Sequence, residues 1–253
     1  MIYKFDCMKA ITLLSIILKF ILMSNNDYFK FENKDLDFPI YKKNPYVPKS
    51  GWIVLFIAMF LGFLMQGLTG SELIDGILFV TVVLVPLLYY LKWDYKAIFQ
   101  KPKSKEIALA IALFVGYIIY SFALGSVLDY FAITATPTVD ENTITTMSLF
   151  PLLFSLMGEE LIKFIPFIFF LRLLYKYSNN RKLSIIVSMI LVMVFFGFLH
   201  AMDAKSIVSV LLLQGAGSIF EFYGYIKTKN ILISYITHLC TDLFLFVLVI
   251  LGL

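Results

Sequence analysis

The sequence predicts an all-α, polytopic integral membrane bundle of seven to eight transmembrane helices. Three observations predict it. Of 253 residues, 60% are hydrophobic and only 15% are charged, with a mean hydropathy of +0.89, whereas soluble domains are about half apolar. The apolar residues fall in runs close to the ~20 residues that a helix needs to cross a bilayer. No alternating barrel pattern is visible, and irregular backbone cannot face lipid, so the runs should be helices.

Residues 1–50 form a first region, an N-terminal interfacial or poorly spanning helix followed by a cytoplasmic juxtamembrane loop. The stretch from Ala10 to Met23 is apolar but short, and Lys19 interrupts it. No small-residue cleavage site follows, which argues against a signal peptide. Residues 24–50 are polar and carry Pro39, Pro45 and Pro48. Residues 51–253 form the transmembrane helical domain, with spans expected near 52–69, 76–91, 106–128, 147–174, 183–201, 206–226 and 231–252. Pro86 and Pro166 fall inside spans, and Pro166 is expected to kink the fourth.

Charge in the loops sets the topology. Loops 24–50 and 92–105 carry five lysines each, while 70–75 and 129–146 carry none. Lys176, Arg181 and Lys182 follow the fourth span, Lys205 alone lies in the turn 202–205, and Lys227 and Lys229 precede the last span. Basic and non-basic loops alternate, so the basic ones should be cytoplasmic and the C-terminus outside. The net charge of +4 is thus a membrane-topology signal. No basic-aromatic stripe points to nucleic acid. Cys7 and Cys240 give neither a disulfide framework nor a Cys-x-x-Cys site. No phosphate-binding glycine loop, haem motif or nucleophile elbow is present.

The stretch Gly158-Glu159-Glu160-Leu161-Ile162-Lys163 stands out from this background. A charge in the bilayer core costs roughly 2.5–3.5 kcal/mol on insertion scales, and this span carries three. The two histidines of the chain, His200 and His238, also lie in apolar runs, and Asp242 follows His238 by one helical turn, on the same face. A single buried histidine is adequately explained as an interhelical hydrogen bond. Two histidines, two glutamates and an aspartate on three spans argue for a site, because buried ionisable groups must pair or line a wet cavity. A glutamate beside a histidine can hold and deprotonate water. Glu159, His200 and His238 would equally match a His₂Glu zinc set, so a zinc cofactor is an open alternative. Lys163 lies at i+4 from Glu159 and i+3 from Glu160 and is expected to be a structural counter-charge.

These residues resemble the CPBP family of intramembrane proteases, the CAAX prenyl protease and bacteriocin-processing (Abi) group. That family is marked by Glu-Glu-x-x-x-Arg, then Phe-x-x-x-His, then His-x-x-x-Asn/Asp, on three spans in this order. Here Glu159-Glu160, Phe196 to His200, and His238 to Asp242 occupy the three motifs, and the resemblance covers about residues 147–245. One departure is that Phe164 stands at the arginine position and Lys163 one place earlier, similar to the Glu-Glu-x-x-Lys form of PrsW-type proteases. The resemblance implies that Glu159 and His200 activate the attacking water. His238 and Asp242 would hold the oxyanion side or complete a metal site, with Glu160 a second acid, a ligand or the partner of Lys163.

The expected function is therefore an intramembrane endopeptidase acting on a membrane-associated peptide or protein, in peptide or bacteriocin maturation or self-immunity. The main alternative is a non-catalytic scaffold or immunity protein of the same fold. A proton-coupled transporter is disfavoured, because no internal repeat is visible. Glu221 is either functional or snorkelling to water. Arg172 and Lys176 read as interface anchors, and Gly215 and Gly217 as close-packing positions. One tension remains in the span boundaries. They put His238 about 11 Å from the inner end of its helix, His200 near an outer end and the Glu pair near the middle. The groups meet only if helices tilt or residues 201–206 dip below the surface.

Overall fold

The computed structural model describes residues 37–41, 46–133 and 144–252. The helix expected within residues 1–23 lies outside the described residues. Seven helices organise the rest: α1 (Lys49–Leu64), α2 (Glu72–Tyr90), α3 (Ser104–Tyr130), α4 (Leu149–Ser178), α5 (Arg181–Leu199), α6 (Ile207–Thr228) and α7 (Ile231–Leu251). They match the seven expected spans to within about five residues at each end. Helices α2, α3, α5, α6 and α7 are long and apolar enough to cross a membrane, and α1 is apolar but shorter. Helix α4 has 30 residues, about 45 Å. It differs from the others in carrying Glu159, Glu160 and Lys163 near its middle. The chain is a multi-pass membrane protein.

Helix α4 is the centre of the bundle. It packs on α2, α5 and α7, and α1 touches it from beyond α2. From Glu160 to Ile168 every residue of α4 is buried, the mark of a helix enclosed on all sides. It runs uninterrupted through Pro166, so the expected kink does not break it. Helix α3 closes the opposite side against α7 and α6.

Two glycines set how closely the helices approach. A Cβ on Gly158 would meet the Phe79 ring of α2 at 2.5 Å, and one on Gly215 of α6 would meet the Met193 carbonyl oxygen of α5 at 2.8 Å. Near the second contact α6 widens into a π-helical turn, Leu211–Ala216. The Tyr120 hydroxyl of α3 donates to the Leu212 carbonyl there, at 2.7 Å.

The two hairpins that bear the motifs close with the same device. Asn179 and Lys229 end α4 and α6 in the left-handed conformation, with φ of 49° and 57°. The next residue, Asn180 or Asn230, caps the following helix by accepting from the Leu183 or Leu232 amide. The turns differ in depth. Thr228, Lys229 and Asn230 are buried within the protein. Asn230 exchanges two hydrogen bonds with the Gln100 backbone, at 3.1 and 2.8 Å, and the Ile231 amide donates to Ile98. The Lys229 ammonium lies 3.7 Å over the Phe38 ring. The segments around 98–100 and Phe38 therefore roof this turn.

Gly215→Ala is expected to cost about 1–3 kcal/mol, since the clash is with backbone, and to lower the unfolding midpoint in detergent. Gly125→Ala, where an added Cβ meets nothing within 4 Å, should leave the midpoint unchanged or raise it. Equal losses at both positions would show that close approach of α5 and α6 is not the constraint.

Candidate active site

Four helices contribute to one polar cluster. Glu160 and Lys163 share a face of α4, and Glu159 is turned about 100° from Glu160. Ser234, His238 and Asp242 recur every four residues along one face of α7. Phe196 and His200 stand one turn apart at the end of α5, and Glu221 comes from α6. The structure brings together every residue expected at the site, and adds Glu221 and Ser234.

The deeper half of the cluster is buried. Glu160, Lys163 and Glu221 are each no more than 4% exposed. The Lys163 ammonium lies 2.5 Å from Glu160 Oε1 and donates to Glu221 Oε2. Its nitrogen is also 4.5 Å over the Phe196 ring. Ser234 donates its hydroxyl to Glu160 Oε2. His238 Nδ1 lies 2.8 Å from Glu160 Oε1. A carboxylate only accepts, so we assign the proton to Nδ1. Burial of one partner alone would be costly, and the cluster is held because each charge meets its opposite. Glu221 thus does not snorkel. Phe164, at the family's arginine position, is a buried core residue packed edge-on against Tyr225 at 5.5 Å. One place earlier on the helix, Lys163 points into the cluster instead.

The shallower half is open. Side chains of Glu159, His200 and Asp242 are 22%, 22% and 27% exposed, enough for water to reach them. Glu159 Oε2 lies 4.0 Å from His200 Nε2 and 3.9 Å from His238 Nε2. His238 Nε2 is 3.8 Å from Asp242 Oδ2. These separations exceed a direct hydrogen bond and suit one interposed water or reacting atom. His200 Nδ1 is 2.9 Å from the Phe196 carbonyl, so Nδ1 donates and Nε2 is the acceptor facing Glu159. His238 belongs to both halves, with one ring nitrogen in each.

The expected zinc set was Glu159, His200 and His238. The compact group of donor atoms among the described residues is instead Glu160, Glu221 and His238, all within 4.8 Å of one another. By donor type it could hold a metal ion. However, the Lys163 nitrogen already lies among the same atoms, 3.4 Å from His238 Nδ1. A metal there would have to displace a paired ammonium, so this group does not fit a metal while Lys163 stays in place.

The depth tension has a geometric resolution. Counting back from Ser178, Lys163 is about 22 Å above the α4–α5 turn, and Glu221 is about 10 Å above the α6–α7 turn. Their ion pair puts them level, so the α6–α7 turn is recessed by about 12 Å. This is the turn roofed by the segments around 98–100 and Phe38. On the other side, Glu159 and His200 are both about 28 Å from the α4–α5 turn and meet without any tilt. Beyond His200 the chain folds compactly. Asp203 accepts from the Lys205 and Ser206 amides, at 3.0 and 2.7 Å, and these bonds hold its carboxyl below the usual range.

Ser234 was missed because a serine one turn before a buried histidine looks like any other small helix-packing residue. Glu221 was visible as an intramembrane acid, but its partner, 58 positions away, was not.

Comparison with known families adds an independent finding. Residues 141–244 match the family model described as type II CAAX prenyl endopeptidase, Rce1-like. The matched segment contains all three motifs. No curated protein and no solved structure matches the chain.

Lys163→Met should leave Glu160 and Glu221 facing each other without their cation and cost about 3–5 kcal/mol of stability. Adding Glu221→Leu should recover part of that loss, with a coupling of about 0.5–3 kcal/mol. Unfolding of the single and double variants in detergent measures it, and simple additivity would rule out the pair as a structural unit.

Proposed function

We propose that this protein is an intramembrane endopeptidase, a reading supported by the match of residues 141–244 to the type II CAAX prenyl endopeptidase, Rce1-like, family model. It hydrolyses a peptide bond of a membrane-associated peptide or protein by means of water activated by glutamate and histidine. The observation that carries the reading is the spacing around Glu159. An acid of the open half faces two imidazole nitrogens across gaps of 4.0 and 3.9 Å, which suit a single water.

In this mechanism a water sits between Glu159 and His200. Glu159 takes its proton as the oxygen adds to the carbonyl carbon. His200, fixed by its bond to the Phe196 carbonyl, accepts a hydrogen bond from the same water at Nε2. His238, held through Nδ1 by Glu160, presents an Nε2 proton to the developing oxyanion when its ring is doubly protonated. Asp242, as a carboxylate, can only accept, so it orients that proton rather than donating one. When the tetrahedral intermediate collapses, the C–N bond breaks and Glu159 returns its proton to the leaving amine. Glu160, Lys163 and Ser234 position His238 and touch no reacting atom.

No metal takes part in this scheme, and among Glu160, Glu221 and His238 the place of a metal is already taken by Lys163. Lys163 also answers the departure at Phe164, since a buried cation is retained beside the Glu pair. Peptide or bacteriocin maturation, or self-immunity, is the biological setting that the resemblance implies. The basic loops would face the cytoplasm and the C-terminus the outside.

Glu159→Gln keeps shape and removes the base, and is expected to lower cleavage by at least 10²-fold without changing the unfolding midpoint. Comparing the peptides of cells that carry wild-type protein or this variant identifies the substrate, and unchanged peptides with unchanged activity would refute the assignment. Cleavage should also withstand a chelator. Loss on chelation, restored by zinc, would move the water-activating role to a metal.

A further inference from the structure

A second concave region lies far from the protease cluster, at the end of the bundle that holds the basic loops. It is a cavity of about 1160 Å³ between the ends of α1, α2 and α4. Arg172, which lines it, is 12 positions from Glu160 on α4, about 18 Å away along the helix. Four cations border it: Lys49, Lys92, Arg172 and Lys176. Among the described residues, the ion pairs of 4.0 Å or less involve none of the four. Two acids also border the cavity. Asp37 is paired with Arg181 at 2.9 Å, and Asp94 stands exposed at the α2 end.

Two of the four cations lie over aromatic rings. The Arg172 guanidinium lies 4.9 Å over the Tyr46 ring and spends one nitrogen on the Val47 carbonyl, at 3.3 Å. Its position is thereby braced, and among the described residues its remaining N–H groups meet no other acceptor. Lys176 lies 5.6 Å over the Tyr177 ring. Trp52, near the start of α1, packs its indole against Phe169 at 5.3 Å and closes the apolar side. Tryptophan and tyrosine at a helix end, with lysine and arginine beside them, mark the headgroup level of a bilayer. A fixed guanidinium with a ring of lysines is the recognition chemistry of a phosphate ester. The volume far exceeds that of a phosphate alone and has an apolar wall for the glycerol and first methylenes of a lipid.

We propose that this cavity binds the headgroup of an anionic phospholipid, with Arg172 and Lys176 holding the phosphate and Trp52 lying against the lipid's glycerol region. Free phosphate offers the same charge without the apolar part. The site is independent of the protease assignment and requires only that the chain lies in a membrane.

The test uses the full chain purified in a neutral detergent, with the thermal unfolding midpoint as readout. Dioctanoyl phosphatidylglycerol is expected to raise the midpoint by several degrees and to saturate, while dioctanoyl phosphatidylcholine does not. Arg172→Ala/Lys176→Ala should weaken half-saturation by at least tenfold. Because Arg172 also braces Val47, a second variant, Lys92→Gln/Lys176→Gln, alters only exposed side chains and should weaken it as well. In Trp93→Phe protein, phosphatidylglycerol brominated on its acyl chains should quench Trp52 with the same saturation. Inorganic phosphate that reproduces the whole shift would assign the site to free phosphate and overturn the lipid proposal. A shift that does not saturate, or that both variants keep in full, would overturn it too, leaving only general attraction between basic loops and anionic surfaces.

Discussion

The structure depends on one ammonium. Lys163 lies between Glu160 and Glu221, deep in the bundle. Two carboxylates so close would repel each other, and neither could be dried without a counter-charge. The lysine resolves both problems and ties α4 to α6. Through Glu160 it also reaches α7, because the same carboxylate holds His238 at 2.8 Å. Helices packed without a hydrophobic driving force need such polar ties. Here three are fastened at one point.

That arrangement separates support from chemistry by depth. Below the His238 ring, Glu160, Lys163, Glu221 and Ser234 are buried and joined by ion pairs and a hydrogen bond. Above it, Glu159, His200 and Asp242 face one another across gaps and are partly exposed. A site that must hold its geometry and also admit water benefits from this division. The imidazole is the boundary between the two regions, and its tautomer is set from the buried side.

Much of this was legible in the sequence, for a physical reason. Charge inside an apolar helix is expensive, so Glu159, Glu160, His200, His238 and Asp242 were conspicuous against the surrounding leucines and phenylalanines. The helices themselves were legible because lipid demands long apolar runs. Ser234 was not, since a hydroxyl in a membrane helix is cheap and common: Ser184, Ser188 and Thr237 are buried too. The pairing of Lys163 with Glu221 was not, because a helix face gives a direction but not a partner. The recessed α6–α7 turn looked like an ordinary basic loop, because nothing local in Thr228-Lys229-Asn230 reveals that Gln100 and Phe38 cover it. The large basic cavity was hidden for the same reason, since it exists only where three helix ends meet.

The π-helical turn of α6 has a further consequence. It accommodates an extra residue within one helix, which offsets the two halves of α6 by about 100° in phase. The first half can therefore satisfy one neighbour while the second satisfies another. Gly215 settles against α5, yet Glu221, six positions on, still faces α4. The turn supplies the phase shift by which a single helix both packs closely at Gly215 and presents Glu221 to Lys163.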